Sequence, residues 1–125
     1  MRLTDDFFII ESTNDTEVGF EVNLRTNPAH FIYKSHFPGN PITPGVCIVQ
    51  AAGELLEKKL HRRLYLKTVK NIKFLSVIIP EESKNIKYSF SNIAEDENGV
   101  KTQVVVSNDN TVYAKISLIF SNVRI

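Results

Sequence analysis

A stiff loop followed directly by an apolar segment is the feature that most constrains how this chain can fold. The loop, residues 36–45 (HFPGNPITPG), holds three of the five prolines and two of the five glycines. Proline fixes φ and glycine permits unusual backbone angles, so such a loop tends to hold one shape. The apolar segment runs from Val46 to Leu60. We expect the loop to present the histidine at its start, His36, to a buried helix.

The apolar segment carries the signals of one long helix. Thr43 and Pro44 offer a hydroxyl for the N-cap and a proline for the first helical position. From there to Leu56 the only strongly polar side chains are Gln50 and Glu54, four residues apart and therefore on one face. A helix that is apolar on nearly all other sides is surrounded by protein. Because a single sheet covers only part of such a helix, the sequence predicts a second subunit.

The remaining segments alternate apolar and polar residues in the manner of antiparallel strands. Polar residues 14–16 predict a turn within an N-terminal hairpin, and Asn98-Gly99 predicts another hairpin turn. Strands are expected at residues 7–10, 18–24, 64–79, 86–90, 100–106 and 112–120. One helix after two strands, followed by about four more strands, predicts a single α+β domain over residues 1–125, with the sheet wrapped around the helix.

Composition excludes several classes of protein. A net charge of +1 gives no general attraction to nucleic acid. No apolar run approaches the roughly 20 residues that span a bilayer. A single cysteine cannot form an intrachain disulfide, which favours a cytoplasmic location. No residues have the spacing of metal ligands, and no glycine-rich phosphate loop is present.

The loop resembles the signature of a known family. Residues 36–46, HFPGNPITPGV, are similar to the motif of the bacterial 3-hydroxyacyl-acyl-carrier-protein dehydratases of the FabZ/FabA type, which have the hot-dog fold. The similarity is dense over residues 36–50, and strand order and length extend it over nearly the full chain. The resemblance implies an α+β hot-dog fold, with an antiparallel sheet wrapped around one long central helix.

The resemblance also implies a catalytic pair, of which this chain keeps one member. Dehydration of a 3-hydroxyacyl thioester removes a proton from C2 and expels hydroxide from C3, and a histidine suits the first step. His36 is the expected base, and the N–H of Gly45 at the helix start is the expected donor to the thioester oxygen. Where the family has a carboxylate, fourteen residues after the histidine, this chain has Gln50. Where the family commonly has glutamine, four residues later, it has Glu54.

This exchange of carboxylate and amide leaves three interpretations open. In the first, which we predict, the chain is a dehydratase of fatty-acid or related lipid or polyketide biosynthesis; His36 makes both proton transfers and Gln50 orients the hydroxyl. In the second, Glu54 reaches the substrate from one helical turn away, about 5.4 Å, which requires a shifted substrate. In the third, the site binds acyl thioesters without dehydrating them, as a non-catalytic subunit or as a thioesterase. An amide argues against the thioesterase, because activating water there generally takes a carboxylate.

Further contacts and partners follow from the same resemblance. Substrate contacts are expected at Phe37, Pro38, Gly39, Pro44, Val46, Cys47 and Glu54. The acyl group is expected on the phosphopantetheine of an acyl carrier protein or on CoA, with no metal or redox cofactor. The expected assembly is a homodimer or a trimer of dimers, in which His36 of one subunit meets Gln50 of the other.

The end of the helix and the remaining reactive side chains give weaker signals. A basic helix end can dock an acidic carrier protein, here through Lys58, Lys59, Arg62 and Arg63. Cys47 is expected to be a small core residue, since nothing marks its pKa as lowered. His30 and His61 have no partner in sequence and are expected at the surface.

Overall fold

Six strands form one antiparallel sheet that packs against a long helix in the computed structural model, which describes residues 2–35 and 39–124. The elements are β1 (Phe8–Thr16), β2 (Gly19–Thr26), α1 (Phe31–Ser35), α2 (Gly45–Leu60), β3 (Tyr65–Phe74), β4 (Asn85–Glu95), β5 (Gly99–Ser107) and β6 (Val112–Ser121). The strand order is β1-β2-β4-β5-β6-β3, so β1 and β3 are the edges. The predicted α+β architecture is confirmed.

The alternation in the strands sets which face of the sheet is buried. In β6 the side chains of Ile116, Leu118 and Phe120 turn inward, while Lys115 is exposed and Ile119 is only half-buried. The buried side chains of the strands join those of α2 in one core. A hydrogen bond from the Tyr88 hydroxyl to the Ile48 carbonyl, 2.9 Å long, ties β4 to the helix inside that core.

The N-terminal hairpin is present, but the predicted turn at residues 14–16 is wrong. β1 continues through Thr16, which pairs with Gly19 of β2, so the turn is made by Glu17 and Val18. The polar residues 14–16 lie in an exposed part of an edge strand, where a polar sequence is compatible with strand structure. Residues 14–16 therefore have the polar pattern of a loop, although they belong to a strand.

The start of α2 also differs from the prediction. Pro44, with φ −63° and ψ 140°, is the N-cap residue itself, and no side chain caps the helix. The Thr43 hydroxyl lies 2.8 Å from the Tyr33 hydroxyl, and the Thr43 N–H donates to the Ile78 carbonyl. The hydroxyl predicted to cap the helix is thus used to hold the loop against the core.

Burial of α2 is one-sided. The face buried in the sheet is formed by Cys47, Ile48, Ala51, Ala52, Glu54, Leu55 and Leu56. On the other side Val46 is 74% exposed, Gln50 is exposed, and Val49 and Gly53 are half-buried. The sheet of this chain therefore leaves an apolar strip of the helix uncovered, as expected for a helix that one sheet cannot enclose.

Candidate functional site

The loop that carries the predicted base is held at both ends. His36, Phe37 and Pro38 lie outside the described residues, so their predicted roles as base and substrate contacts stay predictions. Before them, the buried Tyr33 stacks on Phe7 with ring centroids 4.9 Å apart. Burial raises the pKa of Tyr33 to about 12, so its hydroxyl stays protonated and available for the bond to Thr43. This bond fixes the distance that the intervening loop spans.

His30 lies at the start of α1, and the prediction that it is a surface residue is wrong. Only 4% of it is exposed, and its ring packs edge-on against Phe7 and stacks on Phe31. Its Nδ1 accepts the Ile32 N–H at 3.2 Å, so the imidazole caps the short helix. Its Nε2 is 3.2 Å from a carboxylate oxygen of Asp6, although the geometry is not that of a hydrogen bond. The exposure predicted for the other histidine, His61, is confirmed.

The helix start places backbone N–H groups beside the loop. The N–H groups of Cys47 and Ile48 both donate to the Pro44 carbonyl, so the first bonds of the helix begin after Gly45. The N–H of Gly45 precedes those bonds and points out of the helix end, as the first amides of any helix do. A Cβ on Gly45 would come within 2.8 Å of the Phe74 ring, so a larger residue there would require that exposed ring to shift.

Gln50 and Glu54 form a hydrogen-bonded pair on α2. The Gln50 Nε2 donates to a Glu54 carboxylate oxygen at 2.9 Å. Glu54 is 5% exposed, and it also accepts the N–H of Leu3 and the N–H and hydroxyl of Thr4, at 2.8–2.9 Å. No sequence pattern pointed to these N-terminal partners, which lie about fifty residues away along the chain.

The hydrogen bonds around Glu54 decide its charge. Burial alone raises the pKa of this carboxyl, but the donors from Leu3, Thr4 and Gln50 outweigh burial and lower its pKa below the ordinary value of 4.5. Glu54 is therefore an anion at neutral pH and accepts hydrogen bonds without offering a proton. Its observed contacts are with the N-terminal segment and Gln50, and substrate contact by Glu54 stays a prediction.

A groove of about 500 Å³ runs along the uncovered side of α2. Its walls include Val46, Val49, Gln50, Gly53, Leu66 and Phe120. Three residues predicted for the site, Val46, Gln50 and Glu54, therefore line one space. Cys47 instead is buried, and burial raises the pKa of its thiol, which agrees with a core residue.

Cations at the end of α2 are mostly neutralised within the chain. Lys58 pairs with Asp5 at 3.1 Å, and Lys59 pairs with Asp15. The guanidinium of Arg62 pairs with Glu95 at 2.7 Å and with Asn122, while Arg63 is exposed beside the groove. Carrier docking at this helix end stays a prediction, with three of its four cations already engaged.

Residues 2–35 and 39–124 contain neither a cluster of metal ligands nor a membrane-spanning helix. No three His, Cys, Asp or Glu side chains there group closely enough to hold a metal ion. No helix in those ranges combines the length and apolar character needed to cross a membrane.

Comparison with known proteins identifies the fold and its relatives. A family model described as ApeI dehydratase (ApeI-like) matches residues 11–116. The FabZ 3-hydroxyacyl-acyl-carrier-protein dehydratase of Brucella ovis is 32% identical, over 91% of this chain and 79% of its own length. The corresponding protein of Latilactobacillus sakei is 30% identical, over 78% of this chain and 73% of its own length.

Two solved structures share the architecture. A chain of the dehydratase heterocomplex ApeI:P from Xenorhabdus doucetiae superposes with a TM-score of 0.68 at 14% identity, covering 91% of this chain and 97% of its own. A thioesterase variant from Pseudomonas aeruginosa gives 0.61 at 12% identity, covering 93% and 82%. At such identities the likeness shows the fold alone, and the predicted hot-dog fold is confirmed.

Proposed function

The chain belongs to the ApeI-like dehydratase family, and we propose that it is a hydro-lyase that converts 3-hydroxyacyl thioesters into 2-enoyl thioesters. The observation that carries this proposal is the groove on α2, with the amide of Gln50 on its wall. The names of the curated relatives support an acyl group borne by an acyl carrier protein. We extend that substrate class to this chain, with CoA as the other carrier of the same phosphopantetheine thiol.

The proposed reaction balances with one acid–base residue. His36 takes the C2 proton while the N–H of Gly45 donates to the thioester oxygen, where negative charge develops. The C3–O bond then breaks, and the protonated His36 returns its proton to the leaving hydroxide, giving water and a C2=C3 double bond. No metal or redox cofactor takes part in this scheme.

Gln50 orients the hydroxyl in this scheme and does not protonate it. Because the anionic Glu54 can only accept, the amide of Gln50 must turn its NH₂ group toward Glu54. The orientation of that amide is therefore set by the chemistry of its partner. An amide positioned in this way can hold a hydroxyl by hydrogen bonding, and the proton transfers are left to His36.

The proposed active form is a homodimer or a trimer of dimers. Apolar side chains on and beside the edge strand β3 are strongly exposed: Leu66 (48%), Val69 (40%), Phe74 (51%), Leu75 (55%) and Val77 (53%). Together with Val46 they continue the uncovered strip of α2. A second copy over this surface would bury these apolar groups and bring His36 of one subunit toward Gln50 of the other.

Light scattering after size exclusion tests this assembly. Val69→Glu should give monomers, because it places a charge in the buried interface. Val18→Glu is the matched control, since Val18 is 69% exposed in the β1–β2 turn. If both variants keep the oligomer of the unmodified protein, the proposed interface is wrong.

A non-catalytic acyl-thioester-binding subunit is the second candidate function. The amide of Gln50 favours it, because this chain has no proton donor where the family has a carboxylate. The ApeI:P structure is a heterocomplex, so a fold of this kind can assemble with a different chain. The thioesterase neighbour shares only the fold, and an amide is poorly suited to activate water.

One assay separates these functions. The protein is incubated with 3-hydroxyacyl and 2-enoyl pantetheine thioesters, and enoyl absorbance is followed together with free thiol. Interconversion without thiol release is expected, and His36→Ala should reduce it by about 10²–10⁴-fold, while His61→Asn, at an exposed left-handed position, should not. Thiol release alone would show a thioesterase, and thioester binding without either change would show the non-catalytic subunit.

A further inference from the structure

Five lysines lie on the outer face of the sheet, and none of them forms a salt bridge with a carboxylate of residues 2–35 or 39–124. They are Lys67, Lys70, Lys73, Lys101 and Lys115, and all five are exposed. Ion pairs within the described part of the chain involve other cations. We call the outer surface of β3, β6 and β5 that bears them the lysine face.

The strand register brings these lysines together. Lys73 of β3 lies directly opposite Lys115 of β6. Ile119 of β6 pairs with Lys101 of β5 on one side and with Thr68 of β3 on the other. Lys67 precedes Thr68, so it lies near Lys101 across β6. Like charges placed opposite each other on a sheet are destabilising. The folded protein therefore carries an electrostatic cost where Lys73 faces Lys115, while Asp96 attracts Lys101 and Lys67 at the other end of the face.

Two register shifts in β3 each add a lysine to this face. The register between β3 and β6 shifts between Leu66 and Thr68 and again between Val69 and Asn71. The extra residues at these shifts are Lys67 and Lys70. Bulges commonly redirect a side chain at a functional surface. Beside them, a hollow of about 460 Å³ is lined by Lys70, Asn71, Asn92, Lys101, Gln103 and Ser117, which offer hydrogen-bond donors.

The positive charge is local. The whole chain has 15 basic and 14 acidic residues, so apart from the five lysines ten basic residues remain against fourteen acidic ones. A protein with this asymmetry attracts anionic partners toward one face and repels them elsewhere. The register neighbours in the middle of the face, such as Ile119 and Val105, are aliphatic or polar, and the ring of Tyr65 at the end of β3 is covered by the guanidinium of Arg124.

We propose that the lysine face docks the acidic surface of the acyl carrier protein that delivers the substrate. This inference rests on the proposed function. It places docking on the sheet, whereas the sequence predicted docking at the helix end, where Lys58, Lys59 and Arg62 are already paired. Unpaired cations are the ones that gain most from an acidic partner, because no internal ion pair must break.

Lys115→Glu tests the proposal without endangering the fold. The new carboxylate would face Lys73 across the strands and replace a like-charge pair by an opposite one, so thermal stability should be kept or raised. KM for a carrier-linked 3-hydroxyacyl substrate should rise by about 3–10-fold at low salt, because rim charges act on association rates. KM for the pantetheine substrate should not change.

Lys84→Glu is the matched control, since Lys84 is exposed and forms no ion pair in the described residues. It makes the same change of charge away from the face, and its carrier-linked KM should stay within about twofold of the unmodified value. Equal effects of the two variants would overturn the proposal. So would a loss of carrier affinity confined to Arg63→Glu, which would return docking to the helix end.

Direct binding keeps this test separate from the reaction. Biolayer interferometry with a purified bacterial holo-acyl carrier protein measures affinity whether or not turnover occurs. Affinity that falls with Lys115→Glu and with added salt supports the lysine face even if no dehydration is seen, in which case the proposed function alone fails. Binding to phosphatidylglycerol vesicles or duplex DNA, but not to the carrier, would overturn the docking proposal.

Discussion

Gln50→Glu would place a second carboxyl within hydrogen-bond distance of an anion. The Gln50 Nε2 is 2.9 Å from a Glu54 oxygen, and Glu54 is kept ionised by donors from Leu3 and Thr4. Two unit charges about 3 Å apart repel by about 5 kcal/mol at an effective dielectric constant of 20. Because Gln50 is exposed, solvent screening reduces this to about 1–3 kcal/mol. The pKa of the introduced carboxyl should therefore rise, and the proton of the pair should reside on it.

The sign of the pH effect follows from this raised pKa. Below the pKa of an unfolded glutamate the introduced carboxyl is neutral in both states, so the variant should match the unmodified protein. As pH rises toward the folded-state pKa, the unfolded chain ionises first and the variant loses stability. Chemical denaturation should show a deficit of about 1–3 kcal/mol at pH 8, reduced to less than about 1 kcal/mol at pH 4.5, close to the pKa of an unfolded glutamate.

The same variant reports on the chemistry. A protonated carboxyl at position 50 can give its proton to the leaving hydroxide, so dehydration should be faster than in the unmodified protein. The rate should then fall as pH rises above the pKa of the introduced carboxyl. Gln50→Met is the control, because methionine is of similar size and has no ionisable group, and its dehydration rate should not increase. A stability deficit that is equal at both pH values would refute the argument that the two side chains share one proton.

Three further changes probe the supports of the site. In denaturant titrations, Glu54→Gln should lower the free energy of unfolding by about 2–3 kcal/mol at pH 7. Because the pKa of Glu54 is lowered in the folded state, this deficit should shrink as pH falls below 4.5. Tyr33→Phe leaves the buried Thr43 hydroxyl without its partner and should cost about 1–2 kcal/mol by thermal melting, with a lower kcat if the loop is held by that bond. Gly45→Ala should change stability by less than about 1 kcal/mol, because the half-exposed Phe74 ring can move aside, yet KM should rise as the helix start becomes crowded.

Local periodicity is what made much of the fold predictable. The alternation from Val112 to Phe120 depends only on neighbouring residues, and β6 (Val112–Ser121) has that pattern and nearly those bounds. The helix and the β4–β5 turn were likewise set by residues close in sequence, although the turn is formed by residues 96–98 and Gly99 begins β5. Where the local pattern indicated a turn, as at residues 14–16, strand pairing overrode it.

Contacts between residues that are distant in sequence could not be predicted from the sequence. Nothing near Leu3 or Thr4 marks them as partners of Glu54, because that contact exists only once the N-terminal segment crosses α2. The burial of His30 depends in the same way on Phe7, which arrives from before β1. The motif was enough to select the residues of the site, whereas the charge of Glu54 could be assigned only once its hydrogen-bond partners were known.

The exchange of carboxylate and amide on α2 therefore has a structural consequence as well as a chemical one. At position 54 one carboxylate oxygen accepts the N–H groups of Leu3 and Thr4 and the Thr4 hydroxyl, while the other accepts the Gln50 amide. A glutamine, which has a single acceptor oxygen, could not serve both sides. The anion in turn fixes the amide of Gln50. A carboxylate committed in this way has no proton to offer, so under the proposed function the acid and base work both fall to His36. The N-terminal segment thus takes part in the site by fixing the charge of Glu54.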